Sequence, residues 1–205
     1  MYDVTAHRYD GIKQFDPVDE RQSIARPLLS ALKGLDRPLL LDVATGTGRV
    51  PALLLNEDDF QGQVVGLDAA AKMLALAREK LLQAPASRRH KATLIQQTAG
   101  ALPFTANSFD AVTCLEALEF FPDDRAALEE MARVLRPGGF LMTSRRCGLE
   151  GRLFFGRYRT RADVEASLAR LGFVGIQSHL WQANYNMVTA WKRAAPDRPI
   201  TANVI

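Results

Sequence analysis

Leu39-Leu40-Leu41-Asp42-Val43-Ala44-Thr45-Gly46-Thr47-Gly48 is the stretch from which the rest of this chain can be read. Pro38 precedes it and interrupts whatever comes before, because proline lacks a backbone donor. Leu39 to Val43 is apolar at every position except Asp42, as expected for a strand covered on both faces of a parallel sheet. The loop Ala44 to Gly48 follows, and Arg49 to Leu55 continues as a helix. Pro51 falls in the first turn of that helix, where its missing N–H is not needed. A strand that ends in glycines and opens a helix brings bare backbone close to a ligand. The same arrangement also serves as a plain tight turn.

The pattern recurs along the chain. Gln63 to Asp68 reads as a second strand ending in an acid, and Ala69 to Leu82 as a helix. Ala92 to Gln96 and Phe109 to Leu115 read as the third and fourth strands. Asp123 to Leu135 forms a helix with Leu128, Met131 and Leu135 on one face, and Pro137-Gly138-Gly139 turns into a fifth strand, Phe140 to Ser144. Upstream, Ile24, Leu28, Leu29 and Leu32 give Asp19 to Leu32 a helical period. Near the end, a helix from Thr160 stops at Gly172 and two strand-like runs follow, Phe173 to Trp181 and Tyr185 to Trp191. The turn between them, Gln182 to Asn184, is too short for a parallel crossover, so the pair is antiparallel. The sequence therefore predicts an α/β fold, a Rossmann-like three-layer sandwich. Its seven-stranded sheet is mostly parallel and ends in a C-terminal antiparallel hairpin. One domain is expected, with an N-terminal helix and lid over 1–36, a core over 37–193 and a tail over 194–205.

Composition narrows the function classes. The chain has 205 residues, 47% hydrophobic and 24% charged, with a net charge of +3. That is ordinary globular composition, with too little charge bias to favour a nucleic-acid partner. No apolar run reaches the roughly 18 residues of a membrane span, and Met1 to Asp10 holds no signal-peptide core. A cytoplasmic location is expected. Cys114 and Cys147 lie far apart, and His7, His90 and His179 are scattered, so no metal site is expected. Arg88-Arg89-His90-Lys91 reads as a solvated surface.

Asp68 is the second informative residue. It ends the second strand about twenty residues after Gly48. An acid there accepts hydrogen bonds from ribose hydroxyls in nucleotide sites, although Ala69-Ala70-Ala71 behind it also suits a helix N-cap. The glycine loop at the expected spacing favours the ribose. A dinucleotide would want glycine where Pro51 stands, since that glycine packs helix against strand at a pyrophosphate site. Asp42 would also repel a pyrophosphate, whereas it suits a ligand bearing an ammonium and a sulfonium. S-adenosylmethionine (SAM) carries both and has no phosphate.

On these residues the chain resembles a class I SAM-dependent methyltransferase of the small-molecule group that includes the quinone-biosynthesis C-methyltransferases. Asp42 to Gly48 is similar to that family's first motif, with Ala44 in place of a glycine. Gly66 to Leu74 resembles the second. Ala101-Leu102-Pro103-Phe104 with Asn107 to Val112, and Leu135 to Gly139, resemble later segments. The resemblance implies that backbone around Ala44, Gly46 and Gly48 faces the methionine moiety. It also implies that Asp68 holds the ribose and that Ala69 lies against the adenine. Thr98 and Ala99 would meet the adenine amino group, with Thr98 standing where the family usually has an acid. Leu115 would contribute backbone near the methionine end, and Tyr9 resembles a tyrosine that closes over the cofactor.

The implied reaction is methyl transfer to a small-molecule acceptor by alignment. Two alternatives remain, a non-catalytic SAM-binding module and an NAD(P)-dependent oxidoreductase. A base is needed only if the acceptor must lose a proton. Glu116, Glu119 and His7 are the candidates, although Glu116 and Glu119 read more readily as an ordinary solvated loop or helix start. After the fourth strand, Leu115-Glu116-Ala117-Leu118 lacks the tetrapeptide of the nucleic-acid amino-methyltransferases. Arg145 and Arg146 emerge at the end of the fifth strand, and Arg152 lies beside Leu153, Phe154 and Phe155. That mixture suits an acceptor that is partly apolar and carries an acidic group, or arginines that simply face water. Tyr2 to Phe15 has similar composition and would help cover the methyl group.

Overall fold

The structure is a computed structural model and describes residues 16–147 and 160–194. Seven strands form one sheet in the order β3-β2-β1-β4-β5-β7-β6. They are β1 (Leu39–Val43), β2 (Gln63–Asp68), β3 (Ala92–Gln96), β4 (Phe109–Cys114), β5 (Leu135–Arg146), β6 (Phe173–Gln182) and β7 (Tyr185–Lys192). The first five strands pair in parallel, and β7 runs antiparallel to both β5 and β6. The expected C-terminal hairpin is therefore present.

Alternation along β1 builds two cores. Leu41 and Val43 face one side of the sheet, with Leu128, Met131 and Val134 of α5 (Asp124–Val134). Leu40 faces the other side. There it meets Val50 and Leu54 of α3 (Arg49–Leu55), and Ile24 and Leu28 of the N-terminal helix. Central strands apolar on both faces are what a sheet between two helical layers requires. Among the described residues no helix is long and apolar enough to cross a membrane, and no group of side chains could hold a metal ion.

Two local expectations need correction. The N-terminal helix is α1 (Pro17–Glu20), a π-helical segment Arg21–Ala25 and α2 (Arg26–Leu32) in succession. Pro27 has no N–H to offer the carbonyl four residues back, so the ladder widens just ahead of it. Pro137-Gly138-Gly139 lies within β5 and not before it. Phe109 pairs with Leu135 and Ala111 already pairs with Phe140, so the intervening residues form a bulge, with Gly138 at φ +75°. The Arg88 to Lys91 cluster keeps Arg89 and His90 exposed, as expected of a surface, while Arg88 and Lys91 also latch onto the turn after α3. Arg88 donates to the Glu57 carbonyl at 2.8 Å, Arg89 to Ala84 at 2.9 Å and Lys91 to Phe60 at 3.2 Å.

Asp42 fixes the loop after β1. Parallel register sets it opposite Thr113 of β4, and it is 2% exposed. One carboxylate oxygen accepts from the Thr113 hydroxyl at 2.5 Å and the other from Thr45 at 2.6 Å. The Thr45 N–H in turn donates to the Leu67 carbonyl of β2 at 2.9 Å. Burial pushes the Asp42 carboxyl up to about 6, although both hydroxyls and Arg49 pull it down. Gly48 closes the loop at φ +76°, where a Cβ would stand 2.9 Å from the Cβ of Ala77 in α4 (Ala71–Leu81).

Gly48→Ala is therefore expected to cost about 2–4 kcal/mol in urea unfolding, from left-handed backbone strain plus overpacking. Asp42 gives a pH signature. Between pH 3.8 and about 6 the folded chain keeps a proton that the unfolded chain has released. The stability contribution of this group thus falls as pH rises across that window and is level above it. Asp42→Asn removes the effect. Its stability relative to the parent should climb by up to about 3 kcal/mol from pH 4 to pH 6.5. A pH-independent difference would contradict a buried, partly protonated acid.

Candidate cofactor and active site

A cavity of about 530 Å³ opens at the carboxyl ends of β1, β2, β3 and β4. That is where open α/β sheets bind ligands, and the size is usual for a small-molecule site. Ala44 and Gly46 line it from the β1 loop, and Leu115 lines it after β4. Asp68, Ala69, Thr98 and Ala99 line the opposite end. Asp42 and Gly48 are not among the lining residues. Asp42 lies behind the loop, spent on two hydroxyls, and Gly48 is turned against α4. Both residues support the loop from behind the cavity wall.

Asp68 combines the two roles the sequence left open. One oxygen accepts from the Ala70 N–H at 2.9 Å, at the entry to α4. The other accepts from the Gly46 N–H at 2.8 Å, tying the β1 loop to the end of β2. The residue still lines the cavity, and each carboxylate oxygen has a second lone pair for a ligand hydroxyl. Thr98 is exposed, its backbone N–H donating to the Gln97 side chain at 2.8 Å.

Glu116 and Glu119 are not a solvated loop. Glu116 is 5% exposed and has left-handed backbone at φ +54°. Its N–H donates to the buried Ser144 hydroxyl at 2.6 Å. Its carboxylate meets Arg49 at 3.0 Å and accepts from Gln182 at 3.3 Å. Glu119 accepts from the Tyr185 hydroxyl at 2.5 Å and lies 3.8 Å from Arg146. Both carboxylates are therefore gripped by the tip of the β6–β7 hairpin. Arg146 also sits over the Tyr185 ring at 5.4 Å, and Arg145 donates to Asn186 at 3.0 Å. Arg145 and Arg146 end β5 as expected, but neither lines the cavity. His7, Tyr9, Arg152 and the segments proposed as a cover lie outside the described residues.

Sequence reasoning missed Arg49. It lines the cavity, pairs with Glu116, reaches Glu20 at 3.6 Å and stacks over Trp181 at 5.4 Å. Its position directly after the glycine loop was the available signal. Phe120, Phe121 and Pro122 add an apolar wall, which no helical or strand period announced.

Comparison with known proteins agrees with this geometry. A family described as "Methyltransferase domain" matches residues 41–143, half of the chain. A demethylmenaquinone methyltransferase of Shouchella clausii is 34% identical over 132 residues, covering 64% of this chain and 55% of that protein. Its namesake in Lactiplantibacillus plantarum is 32% identical over 142 residues, covering 69% and 59%. The chain thus spans little more than half the length of these curated relatives. The crystal structure of the YcgJ protein from Bacillus subtilis superposes with a TM-score of 0.68 at 17% identity, covering 85% of this chain and all of that one. The chain belongs to the class I SAM-dependent methyltransferases.

Proposed function

We propose that this chain moves the methyl group of SAM onto a small-molecule acceptor bound beside the β4 loop. The charge of the cavity wall carries the reading. Its described lining holds three acids, Asp68, Glu116 and Asp123, against one base, Arg49, which is already paired. Such a wall favours a cationic ligand and opposes a pyrophosphate, which disfavours a nicotinamide dinucleotide.

When bound, SAM supplies a methyl group already activated on a cationic sulfur. The work left to the chain is alignment, which can contribute on the order of 7–11 kcal/mol at best. Asp68 would hold the ribose hydroxyls, Ala69 would lie against the adenine, and Thr98 and Ala99 would meet its amino group. Backbone at Ala44, Gly46 and Leu115 would face the methionine side. Glu116 or Glu119 would take a proton if the acceptor loses one. The relatives are named for demethylmenaquinone, and Phe120, Phe121 and Pro122 offer an apolar wall suited to such a ring. An acidic group on the acceptor would meet Arg145 and Arg146 at the end of β5, with Arg152 as a third candidate.

Melting with SAM, S-adenosylhomocysteine and NADH tests the cofactor. For a micromolar Kd, millimolar SAM should add roughly 4 kcal/mol of stability. A shift with NADH and none with SAM would discard the proposal. Asp68→Ala should weaken SAM binding at least about tenfold, the loss of hydrogen bonds to a charged group. It should also lower the melting temperature, because Gly46 and Ala70 lose their acceptor. Intact affinity in a destabilised variant would leave Asp68 a purely structural role.

The acceptor needs a separate measurement. Steady-state kinetics with demethylmenaquinone analogues that bear or lack an acidic group should show a raised KM for the acidic ones in Arg145→Ala and Arg146→Ala. SAM affinity should stay as it was. Indifference of both variants to the acidic group would remove it from the acceptor.

A further inference from the structure

The two edges of the sheet are built differently. β3 has five residues and is entered through Arg88-Arg89-His90-Lys91, so a second copy laid beside it would bring like charges together. β6 has ten residues and contains no Lys, Arg, Asp, Glu or Pro. Among the described residues it pairs with β7 alone, which leaves a row of backbone donors and acceptors along its outer side. Charges and prolines are the usual guards of such an edge, and β6 has neither. Leu180, 68% exposed, stands open on it together with Gln177 and His179. We infer that β6 pairs with β6 of a second copy of this chain, antiparallel across a twofold axis, and so joins two seven-stranded sheets into one. The inference does not depend on the SAM reading.

Charge points to a second copy as the occupant. A chain of net charge +3 repels its own copies unless they meet through neutral surface. β6 is such a surface, and so is α6 (Arg161–Arg170), which packs against β6 and shares a core with Phe173 through Val164 and Leu168. α6 sets Arg161 and Arg170 against Asp163 and Glu165, two bases and two acids. Antiparallel strands from identical chains form an isologous contact, which closes as a dimer and leaves no edge to propagate.

The alternation of β6 selects the register. Ser178 lies opposite Val188 and His179 opposite Met187, and these two partners belong to the cores on opposite faces of the sheet. Ser178 and Leu180 therefore share one face with Ile176, which packs on the same core as Val188, and Gln177 and His179 share the other. Irregular pairing with β7 lies to either side, between Val174 and Gln177 and between Leu180 and Gln182. Gln177 to Leu180 is thus the regular part of the edge. A twofold axis normal to the sheet sets one residue opposite its own copy. With Ser178 there, Ile176 of each chain faces Leu180 of the other, and Gln177 faces His179. The exposed Leu180 gains an apolar neighbour, and no like charges meet.

Charge reversal at the two exposed positions tests the pairing without touching the core. One variant carries Gln177→Lys with His179→Lys, and the other Gln177→Glu with His179→Glu. Sedimentation velocity of the full parent chain at tens of micromolar should show a dimer. Each variant alone should dimerise at least about tenfold more weakly, because like charges then face each other twice across the axis. An equimolar mixture of the two should regain the dimer, since lysine now faces glutamate, and that recovery also shows that both variants are folded. A monomeric parent leaves the edge to some other partner and overturns the inference. A parent dimer that both variants retain places the contact elsewhere and overturns it too, as does a loss that mixing fails to restore.

Discussion

A buried carboxylate sets the shape of the ligand loop, and through it the rest of the site. Asp42 sits between the Thr113 hydroxyl of the neighbouring strand and the Thr45 hydroxyl of its own loop. Burying a carboxyl is costly unless its lone pairs are used, and here both oxygens are occupied, one of them by a hydroxyl whose position the sheet register fixes. The loop cannot swing without leaving that acid unsatisfied. Thr45 is further tied to β2 through its N–H, and Gly46 to Asp68. The bare backbone at the head of α3 is therefore presented in one conformation before a ligand arrives.

The opposite wall depends on a different device. The β4 loop carries Glu116 and Glu119, and neither carboxylate is left to water. Gln182 and Tyr185, on the two sides of the hairpin turn, reach across to them. Arg49 and Arg146 supply the compensating charge. The antiparallel hairpin thus shapes the wall of the cavity after β4 as well as completing the sheet.

Polar satisfaction also accounts for the unequal fate of the arginines. Arg145 is engaged by Asn186, and Arg146 stands by Glu119 and over Tyr185. An acceptor's acidic group would enter an existing network and exchange partners within it, a more selective arrangement than a free surface cation offers. Arg49 differs in lying on the cavity wall itself, beside the loop that Asp42 holds.

Local pattern was enough for the strand–loop–helix at Leu39 to Leu55, the acid at the end of β2 and the antiparallel close of the sheet. Each is written in contiguous residues: an apolar run, a glycine pair, an acid at fixed spacing, a turn too short for a crossover. Pro137 to Gly139 reads locally as a turn, because strand pairing across β4 and β5 is invisible in contiguous residues. The residue type of Asp42 is legible locally, while the direction of its carboxylate depends on Thr113, 71 residues away. Arg49, Gln182 and Tyr185 joined the site only in three dimensions. Their partners lie 66 or 67 residues distant in the chain, and no periodicity records such a contact. The sequence by itself determined the layers and the glycine loop that lines the cavity. Only tertiary packing decided which charges face that place and which are consumed in holding it open.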